Sequence, residues 1–254
     1  MNRFDESFLK EALATLPISV HIFGSLDSTN AEARRYAAEG ASSPALFLAD
    51  TQTAGRGRMG RSFYSPDGTG IYLSLLLPIE GELGDAVLMT SGAAVGVMRA
   101  IRAITGIDVG IKWVNDLYFD GRKICGILAQ SFACDDRRYA VLGVGVNLCT
   151  KDFPDELCGI AGSIGCAAEL KSKLAAEIVK ELYTVCSALP EVGFMDEYRA
   201  SSLVLGKAVT YTRNGETYRG SAESIDGRGR LCVRREDGEC DLLDSGEISL
   251  RIDK

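Results

Sequence analysis

The chain of 254 residues holds one histidine, His21. That excludes a zinc site built on several imidazoles and argues against a histidine-centred catalytic triad. Positive charge is also scarce: 28 Lys and Arg stand against 35 Asp and Glu, a net of −7. Such a chain is poorly suited to gripping a phosphate backbone over a broad surface, so no DNA partner is expected. None of the eight cysteines (125, 134, 149, 158, 166, 186, 232 and 240) is spaced as C-x-x-C. They read as small buried hydrophobes in a reducing compartment, not as a zinc or disulfide framework. The opening M-N-R-F-D-E-S-F lacks an apolar signal region. The longest uncharged apolar stretch, residues 86–98, is too short to span a bilayer. A soluble, cytoplasmic protein with no membrane partner is expected.

Hydrophobic residues make up 46% and charged residues 25%, ordinary globular values. Helical periodicity marks residues 4–16, 28–39, 85–105 and 169–189, with a short helix after Pro190 that ends at Ser202. Thr29-x-x-Glu32 has the form of a capping box. Strands are predicted over 19–23, 45–50, 71–77, 109–113, 117–119, 123–131 and 139–148. The run 71–77 is nearly all apolar, as in a strand buried on both faces. Near Leu205 the texture changes to five short alternating strands, with turn signals at Asn214-Gly215, Asp226-Gly227 and Asp237-Gly238. The predicted layout is a mixed α/β domain over 1–204 and a small β module over 205–254. About 20 residues precede the first strand, too few for a helix-turn-helix domain with its own core.

The most informative segment is Gln52-Thr-Ala-Gly-Arg-Gly-Arg-Met-Gly-Arg61. Arg56, Arg58 and Arg61 crowd a loop that leaves an apolar strand, where α/β folds place ligands. Glycine lets the backbone present N–H groups to an anion, and arginine adds forked donors suited to carboxylate or phosphate. The segment is not a Walker loop. Gly55-x-Gly57-x-x-Gly60 matches the dinucleotide fingerprint formally, but no acid follows at the ribose distance. A second cluster, Lys112, Asn115, Asp116 and Lys123, combines two cations, an amide and a carboxylate, which suits phosphate with a bridging metal. Gly143-Val-Gly-Val-Asn147 puts glycines inside a strand, a sign of close ligand approach or of a bulge.

Together these strings, with Asp27-Ser-Thr-Asn30 and Gly121-Arg-Lys-Ile-Cys-Gly-Ile-Leu128, resemble the biotin protein ligases (biotin–[acetyl-CoA-carboxylase] ligases). The resemblance implies an α+β fold: a mixed-sheet catalytic domain of the class II aminoacyl-tRNA synthetase/biotin synthetase type, then a small SH3-like β-barrel. It implies the monofunctional class without a DNA-binding domain. Biotin and ATP, with Mg2+, would give biotinyl-5′-adenylate. A lysine of a biotin carboxyl carrier protein or domain would then take the biotinyl group. Biotin would be held by Ser28, Thr29, Asn30, Gln52, Gly55, Arg56, Lys123, Gly126, Gly143 and Gly145. ATP would be held by Arg56, Arg58, Arg61, Phe63, Lys112, Asn115 and Asn147. Lys123 and Arg58 would act in catalysis, and Asp116 would lie near the metal or assist the incoming lysine. A homodimer is a further possibility, through an exposed sheet edge.

Two departures stand out. Val114 occupies the place of a proline common in the family, and Phe63 that of a tryptophan. The 150–165 loop offers no tryptophan as a second adenine-packing residue. The alternatives are a lipoate–protein ligase, a non-enzymatic biotin-binding regulator, and an interaction protein with a solvated basic loop.

Overall fold

A computed structural model describes residues 3–79, 86–213, 215–244 and 251–252. In chain order the first domain comprises α1 (Glu6–Ala12), β1 (Ser19–Leu26), α2 (Thr29–Ala38), β2 (Ala45–Gln52), β3 (Gly70–Ile79), α3 (Ala86–Thr105), β4 (Gly110–Lys112), β5 (Asp116–Phe119), β6 (Arg122–Cys134), β7 (Arg137–Asn147), α4 (Lys171–Ala188) and α5 (Met195–Ala200). Seven strands form one sheet in the order β1-β2-β3-β7-β6-β5-β4. Only β1 and β2 run parallel, and every other neighbour is antiparallel. This is the mixed sheet expected.

The alternation along β2 shows how the sheet is covered. Leu46 and Leu48 face the core beneath α3 and α4, while Ala45 and Phe47 face Ala33 and Ala37 of α2. The interior strand β3 is buried along most of its length, so its apolar run has no polar face. By length and composition α3 could cross a membrane, but most of it is buried here, packed against α4. It is the core helix.

The second unit adds β8 (Ala208–Arg213), β9 (Glu216–Ile225), β10 (Leu231–Arg235), β11 (Cys240–Leu243) and β12 (Arg251–Ile252), in the order β11-β10-β9-β8-β12. All its pairings are antiparallel. The connection 201–207 joins the two units. Turns fall at 226–230 and 235–239, where Asp226 N–H donates to the Arg230 carbonyl and Arg235 N–H to the Glu239 carbonyl. Asp85, the expected start of α3, and Asn214, of the first expected turn, lie outside the described residues.

Two expectations need correction. The cysteines are not uniformly free and buried: Cys232 and Cys240 form a disulfide, and Cys158 is exposed. Antiparallel pairing of β10 with β11 sets Cys240 opposite Arg234, diagonal to Cys232, with the two Cα atoms 6.1 Å apart. Sequence spacing carries no trace of that register. The capping box also fails. Ser28 is the N-cap of α2 and Thr29 its first helical residue. The Thr29 N–H is satisfied instead by Gln52 Oε1, at 2.8 Å, from the end of β2.

Candidate active site

The carboxyl ends of β1 and β2 and the middle of β6 and β7 converge on one cavity of about 460 Å³. Its floor is made by glycine. Gly126 on β6 and Gly145 on β7 stand directly opposite each other. The Phe63 ring lies against both: a Cβ at Gly145 would come within 2.5 Å of it, and one at Gly126 within 3.3 Å. Gly143 serves another neighbour, since a side chain there would collide with the Asn30 amide.

A polar cluster closes one end. Gln52 Oε1 accepts from the Thr29 N–H and, at 3.2 Å, from the Thr29 hydroxyl, while Gln52 Nε2 donates to Ser65 Oγ at 2.9 Å. Buried Ser74 on β3 sits 2.8 Å from Thr29 Oγ1 and 2.5 Å from Asn30 Oδ1. Asn30 Nδ2 donates to Gln130 Oε1 at 3.3 Å. Donors and acceptors are thus fixed by partners on four elements, which is how a pocket holds polar groups in place.

The other end is cationic. Arg56, Arg58, Arg61, Lys112 and Lys123 line the cavity, against a single acid among the described lining residues, Asp116. In a chain of net −7 this concentration of positive charge makes an anion receptor. The arginine loop is a tight hairpin. Gly57 N–H donates to the Arg61 carbonyl at 2.7 Å and Phe63 N–H to the Gly55 carbonyl at 2.9 Å. The reversal falls at Met59 and Gly60, both with positive φ. Glycine meets that need at position 60, and Met59 tolerates it in a single residue. Arg58 reaches out of the hairpin and donates from Nη1 to Asn115 Oδ1 at 2.8 Å. Burial lowers the Arg58 pKa, with the charge of Asp116 opposing.

Lys123 is clamped on both sides of its strand. Tyr118 pairs with it from β5, and the 150–165 loop docks opposite, with Lys123 N–H on the Ile160 carbonyl and Gly162 N–H on the Lys123 carbonyl. Its ammonium lies 2.7 Å from Asp116 Oδ1. Tyr118, pushed up to about 12 by burial, lies under Lys112, whose Nζ is 5.5 Å from the ring centroid.

Most residues singled out in the sequence therefore meet at one cavity. Two stand behind its wall. Gly55 packs against the Phe63 carbonyl and Ser65. Asn147 donates from Nδ2 to the Gly162 carbonyl at 3.0 Å and holds the 150–165 loop. Sequence reasoning missed Ser74, Tyr118, Leu157 and Ile160. The two-residue period of β5, which puts Asp116 and Tyr118 on one face, could have pointed to the tyrosine. Nothing in an irregular loop marks Leu157 or Ile160. One carboxylate combined with substrate phosphates is a usual way to hold Mg2+, so Asp116 fits that ion only as a companion of a nucleotide. Among the described lining residues there is no Cys or His to form a covalent intermediate. The arrangement can orient and neutralise two anions.

Comparison with known proteins agrees with this chemistry. The Biotin/lipoate A/B protein ligase family matches residues 23–147, and the Biotin protein ligase C terminal domain matches residues 204–251. The bifunctional ligase/repressor BirA of Bacillus spizizenii is 33% identical over 249 residues, covering 93% of this chain and 76% of that one. The biotin–[acetyl-CoA-carboxylase] ligase of Mycobacterium tuberculosis is 32% identical over 219 residues, 81% of this chain and 79% of that one. Among solved structures, biotin protein ligase from Aquifex aeolicus in complex with biotin and ATP superposes with a TM-score of 0.78 at 25% identity, covering 92% of this chain and 99% of that one. The chain belongs to the biotin/lipoate A/B protein ligase family and, within it, to the biotin protein ligases.

Proposed function

We propose that this chain activates biotin with ATP and transfers it to a lysine of a carrier domain. In the first step a biotin carboxylate oxygen bonds to the α-phosphorus of ATP, the α–β anhydride bond breaks, and pyrophosphate leaves. In the second, a lysine amine attacks the acyl carbon of biotinyl-5′-adenylate. An amide forms, AMP leaves, and the amine loses a proton. Relatives named biotin–[acetyl-CoA-carboxylase] ligase support a carboxylase carrier domain as the acceptor. The use of ATP favours a cytoplasmic setting.

One observation carries the reading: a glycine-floored slot, polar at one end, opens onto five cationic side chains at the other. Thr29, Asn30 and Gln52 would pair with the ureido ring of biotin, and Ser28 lines the same end. Gly126 and Gly145 seat the Phe63 ring, which would be an apolar wall for the bicycle, and Gly143 seats Asn30. Lys123 would meet the biotin carboxylate and the α-phosphate. It would neutralise the charge that keeps two anions apart, an effect that fixed charges supply without reorganisation. Arg56, Arg58, Arg61 and Lys112 would hold phosphate oxygens, with Asn115 orienting Arg58. Mg2+ accompanying ATP would find Asp116. The hairpin and Ile160 would shield an adenylate that water hydrolyses.

Lipoate is the competing substrate within the family. Its dithiolane offers no donor, so the polar cluster around Gln52 would gain no partner from it. The test incubates the protein with ATP, Mg2+, a carrier domain and either biotin or lipoate, then weighs the carrier. One biotinyl group gained, with AMP and pyrophosphate released in equal amounts, supports the proposal. Lipoyl transfer alone, or no nucleotide turnover, refutes it.

A further inference from the structure

The 112–116 stretch carries Lys112, Asn115 and Asp116 into the cavity; Lys112 pairs with Asp116 and Asn115 bonds twice to Ile127 of β6, and four further holds come from outside the sheet. Ile111 N–H donates to the Ser201 carbonyl, and Leu203 N–H to the Ile111 carbonyl. The buried Tyr198 hydroxyl donates to the Val114 carbonyl at 3.0 Å. The fourth hold comes from the β module: Trp113 Nε1 donates to the Gly229 carbonyl at 2.8 Å, across 116 residues of chain.

The turn that presents this carbonyl is built for the purpose. Asp226 Oδ1 accepts from the N–H groups of Arg228 and Arg230 at 2.8 and 2.9 Å, and Oδ2 from Arg230 Nε at 2.8 Å. Gly229 takes φ +80 and is buried against α3, where a Cβ would lie 2.6 Å from Ser91 Oγ and 3.2 Å from Val87 Cγ1. Both the backbone angle and the close approach demand glycine. Neither Asp226 nor Gly229 lines the cavity. The polar cluster stands on α2, β2, β3 and β6, and none of its hydrogen bonds reaches this turn.

We propose that the 226–230 turn of the β module is a positioning element of the active site. Through Gly229 and Trp113 it sets where Lys112, Asn115 and Asp116 stand, and so governs nucleotide handling while leaving biotin binding alone. A small displacement of such groups is enough to slow a reaction that depends on alignment. The inference rests on the ligase reading above, so the unsubstituted chain is assayed first. If it releases neither AMP nor pyrophosphate from ATP and biotin, the ligase reading itself fails.

The experiment uses the full chain with Gly229→Ala, Gly229→Ala combined with Ser91→Ala, and Trp113→Phe. ATP KM and kcat are measured for adenylate formation, and biotin affinity is measured separately by calorimetry without nucleotide. Gly229→Ala is expected to raise the ATP KM at least fivefold, with biotin Kd within twofold. Removing the Ser91 hydroxyl should recover part of that loss. If Gly229→Ala does not fold, Trp113→Phe, which removes the donor together with part of the buried ring, decides with the same readouts. An ATP KM within twofold of the unsubstituted chain in the folded variants, or a biotin Kd that weakens in step with it, overturns the proposal.

Discussion

Lys123 Nζ lies 2.7 Å from Asp116 Oδ1, the two side chains reaching across neighbouring strands β6 and β5. The strongest candidate for charge stabilisation is thus held by a carboxylate. An ammonium has three donors, so it can keep this contact, which holds it in place, and still meet anionic biotin and ATP. Lys123→Ala is expected to cut adenylate formation by about 10²–10³-fold, the range found when one preorganised donor is removed from a developing charge. The melting temperature should move little, because the side chain is part-exposed and its backbone pairing is kept. Pyrophosphate release at the unsubstituted rate would show that Lys123 has no such role.

Arg58 ties the arginine hairpin to the 112–116 stretch through its 2.8 Å bond to Asn115 Oδ1. A hydrogen bond from a charged donor is worth about 1.5–3 kcal/mol. Arg58→Gly is therefore expected to let the hairpin open and release adenylate at least about tenfold faster. Rapid filtration of labelled adenylate measures this, and biotinylation of lysines on bystander proteins reports it independently. Retention as long as in the unsubstituted chain would mean that the latch lies elsewhere.

How much of this was legible in the sequence depends on how local the cause was. The arginine loop and the apolar β3 are written in contiguous residues, since charge and hydrophobicity act over a few positions. The glycines of β6 and β7 announced a close approach but not what approaches: the floor under Phe63 at Gly126 and Gly145, and the Asn30 amide at Gly143. The Cys232–Cys240 bond depends on strand register, and the Trp113–Gly229 bond on how two units dock. Neither quantity is periodic, so neither leaves a pattern to read. The helix N-terminus at Ser28 and Thr29 looked self-capped because its true partner, Gln52, lies 23 residues beyond Thr29.

Gly143→Ala tests the polar cluster directly. The added methyl would strike Asn30 and force it away from Ser74 and Gln130. Overpacking of a close-packed interior costs about 1–3 kcal/mol. Denaturant unfolding should show that loss, and biotin affinity should fall with it. Gly193→Ala is the control, because nothing lies within 4 Å of the Cβ it would add. Unchanged biotin binding in Gly143→Ala would detach Asn30 from biotin recognition.

Asp27 gives a pH signature. Its carboxylate accepts both ends of the Arg35 fork, at 2.8 and 3.0 Å, and this pairing lowers its pKa from 3.8 to about 2. The folded pKa lies below the unfolded one. The pair therefore stabilises the fold above about pH 4 and loses that contribution as pH falls toward 2. Both side chains are substantially exposed, so solvent screening keeps the effect below about 1 kcal/mol. Asp27→Asn should flatten the acid limb of a stability–pH curve by lowering its neutral plateau by that small amount, the two curves converging toward pH 2. An acid limb of unaltered slope would count against the assignment.

The buried pair Lys171–Asp50 should show the opposite scale. Its atoms lie 2.6 Å apart, with side chains 2% and 4% exposed, and Lys171 Nζ also rests 4.1 Å from the centre of the Phe4 ring. Asp50 ends the buried part of β2, two residues before Gln52, and its Oδ1 also accepts from the Phe4 N–H at 3.3 Å. Lys171→Met would strand a carboxylate in the core, which costs about 3–5 kcal/mol. Combining it with Asp50→Asn removes the stranded charge while keeping an oxygen for the Phe4 N–H, so most of the stability should return. The double variant is therefore expected to unfold at higher denaturant than Lys171→Met alone. If the two losses simply add, the pair is not coupled and the anchoring of the N-terminal segment beside β2 needs another cause.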